Sequence, residues 1–265
     1  MLRKKLYIMI CILLSVLLLG GCSTQQQKQL PKLMIGYDEY RPFSYIDENG
    51  NPSGICMEIA KEACRRLQYE PVFREIEWDN KDSYLRNGEI DCIWGCFSMN
   101  GLEEDYSWVG PYMNGRQVVA VLQESEIQSL QDLSGKRIAV KAGTQPESIF
   151  LDETDITVPQ AQVVYCLTDV DEIVTALRND YVDACAGYSA ALRYQLEKAG
   201  VSYRFLDEDL MHSKLGIAFR KDSETKLREK IDTVLQEMQE DGTTRQILES
   251  YGLNADKALG GIYGD

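Results

Sequence analysis

The sequence predicts an α/β protein built as two lobes, each a mixed, mostly parallel sheet flanked by helices. Three observations lead there. From Lys32 onward, short β-rich runs alternate with amphipathic helical segments, the pattern of strand–helix–strand units around parallel sheets. Beyond its first thirty residues the chain is about 230 residues long, large for one core and natural for two. Two polar stretches, Ser125–Gly135 and Asp207–Lys214, stand where an outgoing and a returning connection between lobes are expected.

Taken in order, Arg3-Lys4-Lys5 precedes an apolar run from Leu6 to Leu19, followed by Gly20-Gly21-Cys22. A charged start, an apolar middle and small residues at the end make a secretory leader over 1–21. The run is shorter than the roughly 20 residues that a bilayer span needs. Leu19-Gly20-Gly21-Cys22 resembles the bacterial lipobox. That implies lipidation of Cys22 as the first residue of an extracytoplasmic protein anchored to the cell membrane. The next residues, Ser23 to Gln29, are polar and low in complexity, so 22–31 reads as a tether. Apparent strands follow at Leu33–Tyr37, Val72–Ile76, Cys92–Cys96, Gln117–Leu122, Arg137–Lys141, Gln162–Cys166, Val182–Gly187 and Leu215–Arg220. Ile55, Ile59, Ala60, Ala63, Cys64 and Leu67 share one helical face, as do Leu227, Ile231, Val234, Leu235 and Met238. Thr144-Gln145-Pro146-Glu147 reads as a capping box with proline in the first turn. The expected division is 32–121 plus 212–253 for the first lobe and 122–211 for the second, with 254–265 as a C-terminal tail.

Acidic residues number 42 against 28 Lys plus Arg, a net charge of −14. That sign argues against a nucleic-acid partner, which needs a basic face. The single histidine, His212, argues against a histidine zinc cluster or a Ser-His-Asp site, and no metal or other cofactor is expected. Gly143-Thr144-Gln145-Pro146 lacks Walker A spacing. No C-x-x-C occurs, which sets aside zinc ribbons and thioredoxin-like motifs. Cys92 and Cys96, on one apparent strand and about 13 Å apart, cannot pair with each other, nor can Cys56 and Cys64 on one helix. Cys166 with Cys185 stays open beside the plainer reading of buried small hydrophobes.

Six pieces of sequence, in order, resemble the family-3 extracellular solute-binding proteins. Tyr40-Arg41-Pro42-Phe43 with Gly50 and Gly54 is similar to that family's opening element, and Leu85–Asp91 to its "LxxGxxD". Trp108-Val109-Gly110-Pro111-Tyr112 is similar to its "FSxPY" step, and Leu133–Thr144 to the strand and loop opening its second lobe. Asp183-Ala184 and Asp241-Gly242-Thr243 match two later landmarks. The resemblance implies a periplasmic-binding-protein-like (type II) fold, with two lobes closing on a small polar solute such as an amino acid. It implies a monomeric receptor delivering that solute to the permease of an ABC importer.

The same resemblance implies the site. Tyr40 and Trp78 stand where ring walls are expected, though either is equally a core aromatic. Gly95, Cys96 and Ser98 occupy the segment that faces the amino-acid head. Gly143, Thr144 and Gln145 open a helix suited to an anion; Lys141, just before them, either reaches the cleft or lies on a solvated edge. Two positions depart from the family pattern. Leu102 stands where an arginine clamps the ligand carboxylate, and Tyr188 where an aspartate takes the ammonium, so both charge-assisted contacts are lost. Three readings follow: Arg116 supplies the missing cation, unless it is a hinge or surface salt bridge; the solute is an amine or other cation walled by Tyr37, Tyr40, Trp78 and Phe97; or the cleft is degenerate and the protein serves as a partner or sensor subunit. The fold also hosts cyclohexadienyl dehydratases, but with Leu102 in the arginine slot the reading is a binding protein, not an enzyme.

Overall fold

The computed structural model describes residues 29–152, 158–223 and 225–262. The leader, Cys22 and most of the tether lie outside them, as do 263–265 of the expected tail. In chain order the strands are β1 (Lys32–Tyr37), β2 (Tyr45–Ile46), β3 (Pro52–Ser53), β4 (Glu70–Glu75), β5 (Cys92–Ile93), β6 (Ser107–Leu122), β7 (Arg137–Lys141), β8 (Val163–Leu167), β9 (Ala184–Tyr188) and β10 (Tyr203–Phe219). The helices are α1 (Ile55–Leu67), α2 (Lys81–Arg86), α3 (Gln145–Leu151), α4 (Val170–Arg178), α5 (Ser189–Lys198), α6 (Thr225–Glu240), α7 (Thr243–Ser250) and α8 (Ala255–Leu259). Among the described residues no helix is long and apolar enough to cross a membrane.

Eight strands form one sheet in the order β4-β1-β5-β10-β6-β9-β7-β8, and β2 pairs with β3 apart from it. At one end β4, β1 and β5 are parallel; at the other β9, β7 and β8 are parallel. Parallel strands covered on both faces read as continuous apolar runs, which is why Leu33–Tyr37 and Arg137–Lys141 stand out in the sequence. The helices supply the covers. On α1 the buried face is Ile55, Cys56, Met57, Ile59, Ala60, Ala63 and Cys64; on α6 it is Ile231, Val234, Leu235 and Met238.

Between the two ends run β6 and β10, antiparallel to each other along most of their length. β10 pairs with β5 through Ala218 and Phe219, whereas β6 pairs with β9 from Gln117 to Ala120. The changeover from one end to the other therefore falls inside these strands, before the boundary expected at Leu122. Register breaks at Phe205/Asp209, Asp209/Met211 and Leu215/Ile217 make β10 irregular there, and such bulges bend a strand and raise its twist.

The segment Ser125–Gly135 is not the crossing. Its apolar residues Ile127, Leu130 and Leu133 are buried against Leu206 and Leu210, and the Leu130 N–H donates to Glu208 Oε2 at 2.7 Å. It is fastened to one end of the sheet. The apparent strand Cys92–Cys96 also shrinks to Cys92–Ile93. The chain then leaves the sheet and meets β10 again around a Ser98–Leu215 bridge, where the Met99 N–H donates to the Lys214 carbonyl at 2.8 Å.

Candidate functional site

Where the two ends of the sheet face each other, a cavity of about 730 Å³ opens; Trp78, Phe97, Ser98, Thr144, Gln145 and Tyr188 are among the residues on its walls. The irregular stretch after β5 carries Phe97 and Ser98. The Ser98 hydroxyl accepts the Asn100 N–H at 3.2 Å, and Asn100 Oδ1 accepts the Lys214 N–H at 2.9 Å, which ties the loop to β10. From the opposite side, Gly143 turns the chain with φ +69, a conformation that favours glycine, and an added Cβ would press on Trp78 at 3.1 Å. The capping box expected at Thr144 is arranged differently. The Thr144 hydroxyl donates back to the Lys141 carbonyl at 2.5 Å, and Glu147 accepts the N–H of Gly143, not of Thr144, at 2.7 Å.

Six contacts join the two sides. Trp78 Nε1 donates to the Gly143 carbonyl at 3.3 Å, and Gln145 Nε2 to the Asn100 carbonyl at 2.8 Å. Lys141 Nζ donates to Asp38 Oδ2 at 2.7 Å, with only 12% and 16% of the two side chains exposed. The same ammonium lies 5.2 Å from the centre of the Tyr40 ring, within cation–π reach. The Tyr188 ring meets Tyr40 edge-on at 6.1 Å and Phe43 at 5.7 Å.

Burial dominates the ionisation of this region. It pushes the Tyr40 and Tyr188 phenols well above their ordinary range, and the Cys96 thiol likewise, with Cys56 and Asp38 adding to the rise at Cys96. Cys56 and Cys185 are pushed up to about 12 by burial, and Cys166 to about 11. A nucleophilic or redox cysteine needs the opposite, a depressed pKa. The six described cysteines are all free, so the pairing of Cys166 with Cys185 does not form. Among the described residues no cluster of His, Cys, Asp and Glu suits a metal ion.

Of the residues singled out in the sequence, Trp78, Cys96, Ser98, Thr144, Gln145 and Tyr188 line this cavity. Tyr40 and Gly95 are buried behind it. The Gly95 carbonyl accepts the Tyr112 hydroxyl at 2.7 Å. Lys141 is tied to Asp38 rather than open to the cavity. Leu102 is part of the apolar flank, packed in one cluster with Trp78, Tyr106 and Trp108.

Arg116 belongs elsewhere. It pairs with Asp209, which also lies 3.3 Å from His212, and lines a second cavity of about 1010 Å³ behind the hinge strands. Strand geometry explains it: successive side chains point to opposite faces, and on β6 Gln117 faces the first cavity while Arg116 faces the second. Sequence reasoning missed the Asp38 partnership and the rim cations Arg86 and Arg220. The alternation on β6 was the one signal available for placing Arg116.

Comparison with known proteins agrees with this architecture. The family model for "Bacterial extracellular solute-binding proteins, family 3" matches residues 33–254. A relative in Bacillus subtilis, named as a probable amino-acid-binding protein, YxeM, is 24% identical over 255 residues, covering 94% of this chain and 95% of its own. Among solved structures, Tv2483 bound to L-arginine aligns with a TM-score of 0.76 at 28% identity, covering 86% of this chain and 93% of that one. An ancestral amino-acid-binding protein, described as a precursor of cyclohexadienyl dehydratase, aligns with a TM-score of 0.74 at 25% identity, over 83% of this chain and 95% of its own.

Proposed function

Because the chain belongs to the bacterial extracellular solute-binding proteins of family 3, we propose that it is the receptor subunit of an ABC importer. It captures a small polar solute, an amino acid or amino-acid derivative, between two lobes. The observation that carries this is the position of the 730 Å³ cavity. Its walls come from both ends of a sheet whose halves are joined through β6 and β10. A site built this way couples occupancy to closure, because only the closed form lets one solute touch both sides. Lipid attached at Cys22 holds the receptor to the outer face of the cell membrane, and the permease reads the closed state. The protein works as a monomer and needs no cofactor.

The lobes in this reading follow the division expected from the sequence, with the hinge drawn into β6 and β10 near Asn114–Gln117 and Asp209–Ser213. A dehydratase on the same fold is the less favoured reading. General acid catalysis needs a carboxyl free to give up its proton within reach of the substrate. The three acids expected nearest the cleft are all engaged: Asp38 by Lys141, Glu39 by Arg41 and Glu147 by the Gly143 N–H.

Thermal shift and small-angle scattering over the L-amino acids, their amides, betaines, polyamines and prephenate test the reading. A solute at 100 times its Kd stabilises by about 2.7 kcal/mol and should also reduce the radius of gyration. A flat melting temperature and an unchanged radius across the whole panel would sink it. Product formed from prephenate would replace it with the enzyme.

A further inference from the structure

Directly behind the cavity, the protein already holds an ammonium of its own. Asp38 and Tyr40 together make a cation subsite, a carboxylate beside an aromatic face. The protein's own Lys141 fills it, 2.7 Å from Asp38 Oδ2 and 5.2 Å from the ring centre. The acids that line the cavity itself are mostly engaged as well. Asp82 accepts the Tyr106 hydroxyl, Glu147 accepts the Gly143 N–H, and Asp105 alone has no side-chain partner among the described residues.

The bases are the reverse. Lys81, Arg86, Arg220 and Lys221 all line the cavity, and none makes an ion pair with an acid among the described residues. Lys81 leans on the Trp78 ring at 5.1 Å, and Lys221 donates to the backbone carbonyl of Glu104. Over the whole chain acids outnumber bases by 42 to 28; at this rim four bases face three acids. Arg86 and Arg220 are exposed and free to turn onto a carboxylate, for which a guanidinium fork is well matched.

We infer that the cleft takes an anionic solute without a free ammonium group, its carboxylate held at the mouth by Arg220 and Arg86, while Lys141 occupies the place of a ligand amine. This rests on the solute-binding reading and names the solute class for that same site. Leu102 and Tyr188 then cease to be losses. A site that recognises no ammonium has no use for an aspartate at 188, and a carboxylate anchored at the rim has none for an arginine at 102.

Isothermal titration calorimetry on the protein with succinate, N-acetyl-L-glutamate, L-glutamate, L-arginine and putrescine tests the inference. Succinate or N-acetyl-L-glutamate should bind more tightly than any of the ammonium-bearing probes. Arg220→Ala and Arg86→Ala, both at exposed positions that leave the fold intact, should each weaken that binding about tenfold, as expected for a lost charge-assisted hydrogen bond. Lys141→Ala should open the Asp38–Tyr40 subsite and create putrescine binding that the parent protein lacks.

Tighter binding of L-arginine, putrescine or L-glutamate than of both ammonium-free probes would overturn the solute class while leaving the solute-binding function standing. Anion binding unchanged by both arginine variants would overturn the anchor. No binding by any probe, together with no closure by scattering across the wider panel, would remove the solute-binding reading itself.

Discussion

The two cavities share one wall and little else. Tyr188 lines both, yet behind the front cavity an ion pair crosses the gap between the halves, while the rear one is bounded by charges seated on the hinge strands. Asp38 and Lys141 come from β-strand ends on opposite halves and are nearly dry. Arg116 and Asp209 come from neighbouring strands and are 35% and 21% exposed. The difference teaches where electrostatics carries weight in this fold. A pair that spans the front gap ties the halves together in a low-dielectric setting; a pair on adjacent hinge strands is screened by solvent and holds little.

The largest test is the shared wall. Tyr188→Ala should join the two cavities and lower stability by about 4 kcal/mol, the usual loss for an excised buried aromatic ring; a melting curve reads it. If Tm barely moves, the ring is not the partition described. Gly115→Ala is the companion, since an added Cβ would run into the Tyr188 ring. Next comes Asp38→Ala, which strands the Lys141 ammonium without its partner and should cost about 3 kcal/mol. Urea titration of the single mutant against Asp38→Leu/Lys141→Met separates a charge effect from lost packing, because the apolar double mutant should recover most of the loss. Failure to recover would mean that the pair acts through its shape.

A control lies wholly within the first half. Glu62, on α1, is held down to about 2 from its ordinary 4.5, first by its hydrogen bond from Arg65 and then by that from Arg66. A folded-state pKa below the unfolded one means stability that is present above pH 4.5 and drains away as pH falls towards 2. Glu62→Gln should flatten that stretch of the stability profile by about 1 kcal/mol, after allowance for solvent screening. It should leave solute binding at neutral pH alone. The smallest effect is expected at the rear: Arg116→Met should change stability by less than about 0.5 kcal/mol and less still in high salt, measured as a shift in the denaturation midpoint at two ionic strengths.

Much of the fold was legible because burial writes itself into apolar periodicity. Leu33–Tyr37, Arg137–Lys141 and the faces of α1 and α6 read correctly for that reason. The long reach of β6 did not, since Gly110, Pro111, Asn114 and Gly115 break the apolar run; the pairing with β10 skips Gly110–Tyr112 but carries on through Asn114 and Gly115. Hydrogen bonding between strands is a backbone property, and side-chain patterning does not report it. The site shows the same divide. Trp78, Cys96, Ser98, Thr144 and Gln145, singled out through the family resemblance, line the cavity. The Lys141–Asp38 pair was not foreseen, because 103 residues separate its members and a lone lysine at a strand end carries no sign of its partner.

The interleaving of β6 and β10 also governs the order in which the molecule becomes itself. The second half is one contiguous stretch of chain, but the first is not. Among the described residues, β10, which begins at Tyr203, is the only strand that pairs with both β5 and β6, and the covers α6, α7 and α8 come later still. A chain emerging from its N-terminus therefore completes the strands of the second half through β9 before the first half has its last strand or its outer helices. The long-range pairings must wait for the final quarter of the sequence, and closing contacts over such separations is slow. Until then Ile93 lacks its β10 neighbour and the apolar face of α1 is only partly covered, by β1 and β4, which makes the last sixty or so residues the lock on folding rather than an appendage to it.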